Sequence, residues 1–311
     1  MVSTGVIGVG GWGKHHLRVL SELDSLAAFC DTDSSKIKSY EQKYGVKGYL
    51  SVDELLDDAV LDAIVVASPT STHYEVTSKV INADLAVFVE KPLTYNSTEG
   101  EKLIKLSEER KRLLTVGYIE RFNPAVRELK MMLEKGEAGD PLLLEFHREN
   151  RWSGRVQDVG VIMDTSVHDI DTARWIFNDE PNMIFARAGR VLGEHEDFAA
   201  LSIGFKGEKT AFITSNWVTP KRVRRLTAVC TKSIVDVDFI TQKIRIDTDE
   251  GTHIPRIGWE EPLKIELKAF LDSVSKGSKL VVTGRDALNT TKIAEAALIS
   301  SQTGSPIYLE L

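Results

Sequence analysis

The stretch TGVIGVGGWG (Thr4–Gly13) decides how the first part of the 311-residue chain folds. Its first half is apolar, as in a buried strand, and its second half spaces three glycines as G-x-G-x-x-G. In that pattern the first glycine permits a turn, the second admits a pyrophosphate close to the backbone, and the third lets the helix pack on the strand. Because the loop follows a strand and opens a helix, the sequence predicts a dinucleotide-binding loop of Gly8, Gly10, Gly11, Trp12 and Gly13.

Asp31 ends the next apolar run, 18 residues after Gly13. A carboxylate at this position accepts hydrogen bonds from the adenosine ribose hydroxyls and repels a 2′-phosphate. The sequence therefore favours NAD over NADP as the cofactor. Lys36 and Lys38 follow closely and would suit a phosphate, but solvated helix charges explain them equally well.

Outward from this loop, short apolar runs alternate with amphipathic helical stretches as far as about residue 120. Strands that are apolar on both faces and separated by helices indicate a parallel, doubly wound sheet. We therefore predict an α/β fold whose first domain, residues 1–120, is a dinucleotide-binding Rossmann domain.

The pattern changes in residues 121–311. From Pro141 onward β-rich runs follow one another, and short turns join some of them, which indicates an α+β domain with a large open, mainly antiparallel sheet. The predicted helices of this part lie at about Ile162–Phe177, Glu260–Lys276 and Arg285–Gln302.

Composition and charge narrow the class of protein. A hydrophobic fraction of 42% is typical of globular proteins, and no run approaches the roughly 18 apolar residues of a membrane helix. The net charge of −7 argues against a nucleic-acid partner. The N-terminus shows no secretory signal, and Cys30 and Cys230 lie in separate apolar runs, so buried free thiols and a cytoplasmic location are expected.

One local cluster departs from the acidic balance, since four of the five residues after Pro220 in PKRVRR (Pro220–Arg225) are basic. An exposed hairpin tip is one explanation of this cluster. A seat for an anionic substrate group is the other, because arginine suits phosphate geometry.

Glu90, Lys91 and Pro92 end the buried run AVFV. The carboxyl ends of parallel strands are where open α/β sheets bind their ligands. Lys91 is therefore either a residue that takes part in proton transfer or an ordinary solvated loop lysine.

DTSVHDID (Asp164–Asp171) places charged residues in an otherwise apolar helix. At helical spacing Asp164, His168 and Asp171 share one stripe, whereas Asp169 is expected at the surface or between domains. These residues could bind zinc or manganese, form a structural ion pair, or act in proton transfer. We favour proton transfer and predict no metal, since an imidazole titrates near neutral pH and no other His or Cys cluster completes a metal site.

Trp152 and Arg155 precede this helix in the segment RWSGR. They could close over a substrate, and an aromatic residue that only packs at the sheet edge is the alternative.

Five motifs follow one another along the chain: GVGGWG, SPTSTH, EKP, RFNP and DTSVHDID. In this order they resemble the glucose–fructose oxidoreductase / inositol dehydrogenase / rhizopine-catabolism family over nearly the whole length. The resemblance implies a Rossmann domain and a second domain that binds substrate and self-associates through the outer face of its sheet. A homodimer or homotetramer is therefore expected.

The resemblance also implies site residues. Lys91 matches the family's active-site lysine, while Asp164 and His168 match the carboxylate and histidine beside the substrate. The segments that line the cofactor supply Ser68, Pro69, Thr70, His73 and Glu90, and the segment that faces nicotinamide and substrate supplies Arg121 and Asn123. The chain departs from the family in having Asp158–Gly160 where members often carry two or three glycines.

The segments VGYIERFNPAV and DVGVIMD look most like the branch that oxidises UDP-N-acetylglucosamine at its 3-hydroxyl. The expected reaction is hydride transfer from a secondary hydroxyl of a sugar or sugar nucleotide to NAD. We expect His168 to be the base, Lys91 to polarise the oxygen and Asp164 to orient the imidazole or a second hydroxyl, with lysine as the base left open. A free-sugar or inositol dehydrogenase and a non-catalytic NAD-binding regulator are the alternatives.

Overall fold

The computed structural model describes residues 2–152, 154 and 158–311. Contacts within the chain divide it into two units. Unit 1 comprises Met1–Gly117 and Leu263–Leu288, and unit 2 comprises Tyr118–Pro262 and Asn289–Leu311. The predicted domains, residues 1–120 and 121–311, differ from this grouping mainly at Leu263–Leu288.

Helices and strands alternate in the first part of the chain, and strands dominate the second. The strands are β1 Thr4–Ile7, β2 Leu26–Cys30, β3 Lys47–Tyr49, β4 Ala63–Val66, β5 Ala86–Val89, β6 Leu114–Val116, β7 Pro141–Glu149, β8 Met183–Gly189, β9 Phe198–Gly204, β10 Thr210–Asn216, β11 Val223–Cys230, β12 Ile234–Asp238, β13 Lys243–Thr248, β14 Gly251–His253 and β15 Ile307–Tyr308. The α-helices are α1 Gly13–Glu22, α2 Ser34–Tyr44, α3 Val52–Asp58, α4 His73–Asn82, α5 Ser97–Arg110, α6 Pro124–Glu134, α7 Val167–Phe177, α8 Pro262–Lys276 and α9 Gly284–Thr303.

Unit 1 is built on a six-stranded parallel sheet of order β3-β2-β1-β4-β5-β6. Strands β1, β4 and β5 are buried along their whole length, as strands covered on both faces must be. The predicted doubly wound fold is confirmed. In such a sheet ligands bind outside the carboxyl ends of the strands where the order reverses, which here lies between β1 and β4.

The late segment Leu263–Leu288 groups with unit 1 because its side chains complete the packing of that sheet. The ring of Phe270 on α8 contacts that of Phe88 on β5 at 5.7 Å between centroids. The hydroxyl of Thr115 on β6 donates to the carbonyl oxygen of Val282 at 2.7 Å. No local sequence pattern predicts that this late segment packs against the first sheet.

Unit 2 contains a nine-stranded sheet of order β14-β13-β12-β11-β7-β10-β9-β8-β15. Neighbouring strands in this order run antiparallel, except for β7 and β10, which run parallel. The prediction of a large, mainly antiparallel sheet is confirmed.

The explanation of Pro220–Arg225 as a hairpin tip is wrong. Strands β10 and β11 both pair with β7, on opposite sides of it, so the segment between them joins strands that are not neighbours. Val223, Arg224 and Arg225 belong to β11 itself, where successive side chains point to opposite faces of the sheet.

One face of this sheet is buried and the other is open. Phe146, Ile213 and Leu226 are buried on the face against which α7 packs. On the opposite face Phe198 and Phe212 are 42% and 46% exposed, among polar side chains of the neighbouring strands. The open face is therefore mixed in polarity rather than uniformly apolar.

Two findings bear on the class of protein. No helix in the described part of the chain is both long enough and apolar enough to cross a bilayer.

Cys30 and Cys230 are free and buried, as predicted, and burial raises the pKa of each thiol to about 11. Such a thiol stays protonated near neutral pH and is a poor nucleophile.

Candidate active site

The glycine loop after β1 has the geometry that a dinucleotide requires. Gly8 has a φ of +84°, and a Cβ there would lie 2.7 Å from the backbone nitrogen of Ser68. A Cβ at Gly13 would lie 1.8 Å from the carbonyl oxygen of Gly8, so only glycine lets α1 pack on the turn. A Cβ at Gly10 would meet no protein atom within 4 Å. The fold itself thus requires glycine at Gly8 and Gly13, and Gly10 leaves room that a pyrophosphate can use.

Helix α1 begins without a side chain that caps its first N–H groups. Trp12 at the N-cap makes no capping hydrogen bond, and the first turn contains no acidic residue. The Trp12 side chain itself is 43% exposed. The uncapped N–H groups and the positive end of the helix dipole suit an anion. With the glycine loop, these residues fit the diphosphate of a dinucleotide.

The carboxylate of Asp31, directly after β2, is held beside the glycine loop. Its Oδ2 accepts a hydrogen bond from the backbone N–H of Val9 at 2.9 Å, and its Oδ1 accepts one from that of Asp33 at 3.0 Å. The ammonium of Lys36 lies 3.2 Å from Oδ1. The site therefore offers an oriented carboxylate, which suits NAD, and a nearby cation, which suits NADP.

The loop after β4 carries Ser68, Pro69 and Thr70, and His73 starts the helix that follows. One ring nitrogen of His73 lies 3.0 Å from the carbonyl oxygen of Ser68, and the other lies 2.8 Å from that of Pro92. His73 is only 1% exposed, and its two contacts link the loop after β4 to the loop after β5 beneath the surface. A role of this loop in lining the cofactor stays a prediction.

Glu90 and Lys91 follow β5, and a histidine that the motifs did not single out holds the glutamate. Nε2 of His16 on α1 lies 2.7 Å from Oε1 of Glu90, and His16 is completely buried. The other carboxylate oxygen accepts the backbone N–H of Lys91 at 3.3 Å. The side chain of Lys91 is partly exposed. His16 stands three residues after Gly13, on the buried side of α1. Its position just after the glycine loop is the sequence signal that could have identified it.

The helix that carries Asp164 and His168 begins with a π-helical turn, Ile162–Ser166, rather than as a regular α-helix. Side chains from the end of β10 hold this turn. The indole Nε1 of Trp217 donates to Oγ1 of Thr165 at 3.0 Å, and the hydroxyl oxygens of Ser166 and Ser215 lie 3.0 Å apart. Single π-helical turns occur often at functional sites.

Residues 161–174, a stretch that the structure describes throughout, contain only two side chains that are not buried, those of Asp164 and His168. The hydroxyl of Thr165 donates to the Asp164 carboxylate at 3.1 Å. The ring of Tyr118 lies nearly perpendicular to the His168 imidazole, with 6.3 Å between centroids. Accessible ionisable groups on an otherwise buried helix are candidates for acting on a ligand.

Asp171, which the sequence placed on the same stripe, is 1% exposed and forms a buried ion pair. Its carboxylate accepts hydrogen bonds from Nε and Nη2 of Arg121 at 2.8 and 2.7 Å. Asp171, which would be the third ligand of such a metal site, is therefore engaged by Arg121. The described residues contain no group of three or more His, Cys, Asp or Glu that could hold a metal ion. The implied role of Arg121 at the cofactor stays a prediction.

The prediction that Asp169 lies at the surface or between domains is wrong, since it is 1% exposed inside unit 2. Nε and Nη2 of Arg148 on β7 donate to its carboxylate at 3.0 and 2.7 Å. Nη1 of the same arginine donates to Oε1 of Glu120 at 2.9 Å. Burial raises the pKa of the Asp169 carboxyl, and the charge of Arg148 opposes that rise. This network ties α7 to the sheet.

The remaining candidates differ in accessibility. Asn123 is 1% exposed, its Oδ1 accepts the backbone N–H of Ala125 at 3.1 Å, and its amide donates to the carbonyl oxygen of Phe239 at 3.0 Å. These bonds make it the N-cap of α6. Trp152 is 36% exposed, and its backbone N–H donates to the carbonyl oxygen of Trp217 at 2.7 Å. Arg155 lies outside the described residues.

Comparison with known families assigns both parts of the chain. Residues 2–118 match the GFO_IDH_MocA profile, described as an oxidoreductase family with an NAD-binding Rossmann fold. Residues 126–236 match the GFO/IDH/MocA C-terminal domain. The chain belongs to the GFO/IDH/MocA oxidoreductase family. The resemblance that the sequence motifs indicated is thereby confirmed.

Two of the similar proteins are dehydrogenases by name. UDP-N-acetylglucosamine 3-dehydrogenase of Acidithiobacillus ferrooxidans is 29% identical over 282 residues, which cover 88% of each protein. Myo-inositol 2-dehydrogenase of Thermotoga maritima is 28% identical over 333 residues, which cover 98% of each. The solved structure of the Acidithiobacillus enzyme has a TM-score of 0.90 at 25% identity and covers 97% of this chain and 98% of its own. The protein is thus an oxidoreductase of a family whose named members include dehydrogenases of a sugar nucleotide and of inositol.

Proposed function

We propose that this family member oxidises a secondary hydroxyl of a sugar nucleotide, the 3-hydroxyl of UDP-N-acetylglucosamine being the best candidate. The observation that carries a catalytic role is the accessibility of Asp164 and His168 alone within residues 161–174. The similarity to the Acidithiobacillus enzyme, named for this reaction, supports the choice of substrate.

In the proposed mechanism His168 accepts the proton of the substrate hydroxyl. Lys91 donates a hydrogen bond to the same oxygen, and Asp164 orients the imidazole or a second hydroxyl of the sugar. NAD⁺, when bound at the glycine loop, supplies the hydride acceptor. Each positioned acid–base group of this kind typically contributes about 10²–10⁴-fold to the rate.

The first test replaces the two proton-handling groups. We expect Lys91→Ala and His168→Ala to fold and to bind NAD, and to lower turnover by about 10²–10⁴-fold, because each removes a group that stabilises charge on the reacting oxygen. The measurement is the appearance of NADH absorbance with UDP-N-acetylglucosamine, beside cofactor binding followed by calorimetry. Lys105→Ala and His253→Ala, at exposed side chains elsewhere, are matched controls. Undiminished turnover in both active-site variants would rule out the mechanism.

A second candidate substrate is a free polyol, which the similarity to myo-inositol 2-dehydrogenase favours. A panel of UDP-N-acetylglucosamine, N-acetylglucosamine, glucose and myo-inositol separates the two. NADH formed only with the nucleotide sugar supports the first candidate, and NADH formed with myo-inositol supports the second. Tight NAD binding without turnover of any sugar or polyol would favour a non-catalytic regulator.

A further inference from the structure

Two arginines face each other across neighbouring strands of the unit 2 sheet. Arg224 on β11 stands directly opposite Arg148 on β7 in the antiparallel register. Directly opposed residues project to the same face of a sheet, so both guanidinium groups belong to the face against which α7 packs. Like charges in this position repel each other unless acidic groups balance both.

The nearby carboxylates accept hydrogen bonds from Arg148, whereas Arg224 forms only a longer ion pair with one of them. The Asp169 carboxylate accepts hydrogen bonds from Nε and Nη2 of Arg148, and Oε1 of Glu120 accepts one from Nη1 at 2.9 Å. Nη1 of Arg224 lies 3.9 Å from Oε1 of Glu120, beyond hydrogen-bonding distance. Among the described residues, the buried Nε of Arg224 has no hydrogen-bond partner. Arg224 therefore has an unsatisfied N–H donor at a buried position, where polar groups normally have hydrogen-bond partners.

The environment of Arg224 favours an additional anion. Burial, and after it the charge of Arg148, lowers the pKa of the Arg224 guanidinium to about 10. The side chain is nevertheless 32% exposed, so a ligand can reach part of it. An anion at the open side would satisfy the remaining donors of Arg224.

We propose that Arg224 binds an anionic group of the substrate, either phosphate oxygens or a sugar carboxylate. A guanidinium fork recognises both groups with two parallel hydrogen bonds. The inference rests on the proposed function, in which the substrate binds beside His168. Asp169, the next residue along the chain, is anchored by Arg148, so the helix with the histidine and the strand with Arg224 share one network.

The neighbouring Arg225 provides a matched control. It follows Arg224 on the same strand and therefore points to the opposite face. Its side chain is 66% exposed, and its Nε lies 3.9 Å from Oδ2 of Asp238. A variant at this position removes the same charge from the same strand without touching the face that packs against α7.

The test compares Arg224→Gln, Arg224→Lys and Arg225→Gln with the unaltered protein, with thermal melting as a check of folding. Calorimetry in the presence of NADH measures the dissociation constants of UDP, UDP-N-acetylglucosamine, glucuronate and N-acetylglucosamine. We expect Arg224→Gln to weaken binding of the anionic ligand by roughly 10- to 100-fold, the worth of a charge-assisted pair of hydrogen bonds. Arg224→Lys should be intermediate, and Arg225→Gln should match the unaltered protein.

The arms of this experiment distinguish the sources of the anion. Weaker binding of UDP and UDP-N-acetylglucosamine assigns phosphate to Arg224, whereas weaker binding of glucuronate alone assigns a carboxylate. Equal affinities in Arg224→Gln and the unaltered protein, an equal loss in Arg225→Gln, or no binding of any anionic probe would overturn the inference.

Turnover measured on the same variants separates this inference from the proposed function. Turnover of UDP-N-acetylglucosamine with an unchanged KM in Arg224→Gln would remove the anion subsite and leave the dehydrogenase. Anion binding that depends on Arg224, without turnover of any substrate, would remove the dehydrogenase mechanism and leave the subsite.

Discussion

Asp31 and Lys36 present opposite charges where the adenosine ribose is expected to bind. The carboxylate is 9% exposed and fixed by two backbone N–H groups, whereas the lysine is 38% exposed. A carboxylate held by the backbone discriminates more strongly than a more exposed cation, because exposed ion pairs contribute little free energy. We therefore propose NAD as the preferred cofactor.

Removing this carboxylate should change the cofactor preference. We expect Asp31→Ser to raise the ratio of kcat/KM for NADP to that for NAD by about 10-fold or more, because it removes hydrogen bonds to ribose and leaves Lys36 for a 2′-phosphate. Steady-state kinetics with both cofactors measure the ratio. Asp33→Ser, which removes the charge of the α2 N-cap residue but leaves a side chain that can cap the helix, is the control for loss of a nearby charge. An unchanged ratio in Asp31→Ser, or the same change in both variants, would contradict the assignment.

At the scale of the element, α7 and the π-helical turn before it show what the sequence could predict and what it could not. The pattern located the helix and singled out Asp164 and His168, because charged residues in an apolar run are visible locally. The burial of Asp169 and Asp171 depends on their ion pairs with Arg148 and Arg121, which lie 21 and 50 residues away along the chain. A helical wheel also assumes a uniform turn, and the π-helical turn at Ile162–Ser166 breaks that assumption.

Two aspartates of this helix should therefore respond differently to the same substitution. We expect Asp171→Asn to lower the free energy of unfolding by about 3–5 kcal/mol, because it leaves Arg121 buried without its bidentate partner. Asp164→Asn should cost about 1 kcal/mol or less and should lower kcat/KM instead. Urea unfolding and initial rates measure the two effects. Strong destabilisation by Asp164→Asn with none by Asp171→Asn would reverse the roles that the structure indicates.

At the scale of the whole molecule, the fold class follows from the sequence because apolar runs and glycine spacing are local signals. The parallel pairing of β7 with β10 does not follow, since α7, β8 and β9 separate the two strands along the chain and no local pattern shows that β10 returns to β7. The character of the open face was also invisible. Phe198 and Phe212 lie there among polar side chains such as Glu145.

We propose that this open face makes the contact in a homodimer or homotetramer, and Phe212 provides a test. Phe212→Glu should shift the protein to a smaller species, because it places a charge where an aromatic ring would be buried. Light scattering coupled to size-exclusion chromatography measures the mass. Val60→Glu, at a side chain that is 92% exposed in unit 1, is the control. A monomeric unaltered protein, or an unchanged mass in Phe212→Glu, would refute this assignment of the interface.

The return of Leu263–Leu288 to unit 1 affects how the protein is made. A nascent chain leaves the ribosome N-terminus first, at roughly 5–20 residues per second. Phe88 and Thr115 therefore emerge well before Phe270 and Val282, the residues that cover them. All of Tyr118–Pro262 is synthesised in between, on the order of 10 s. During that interval the nucleotide-binding sheet lacks part of its cover, and unit 2 has most of its strands before unit 1 is complete.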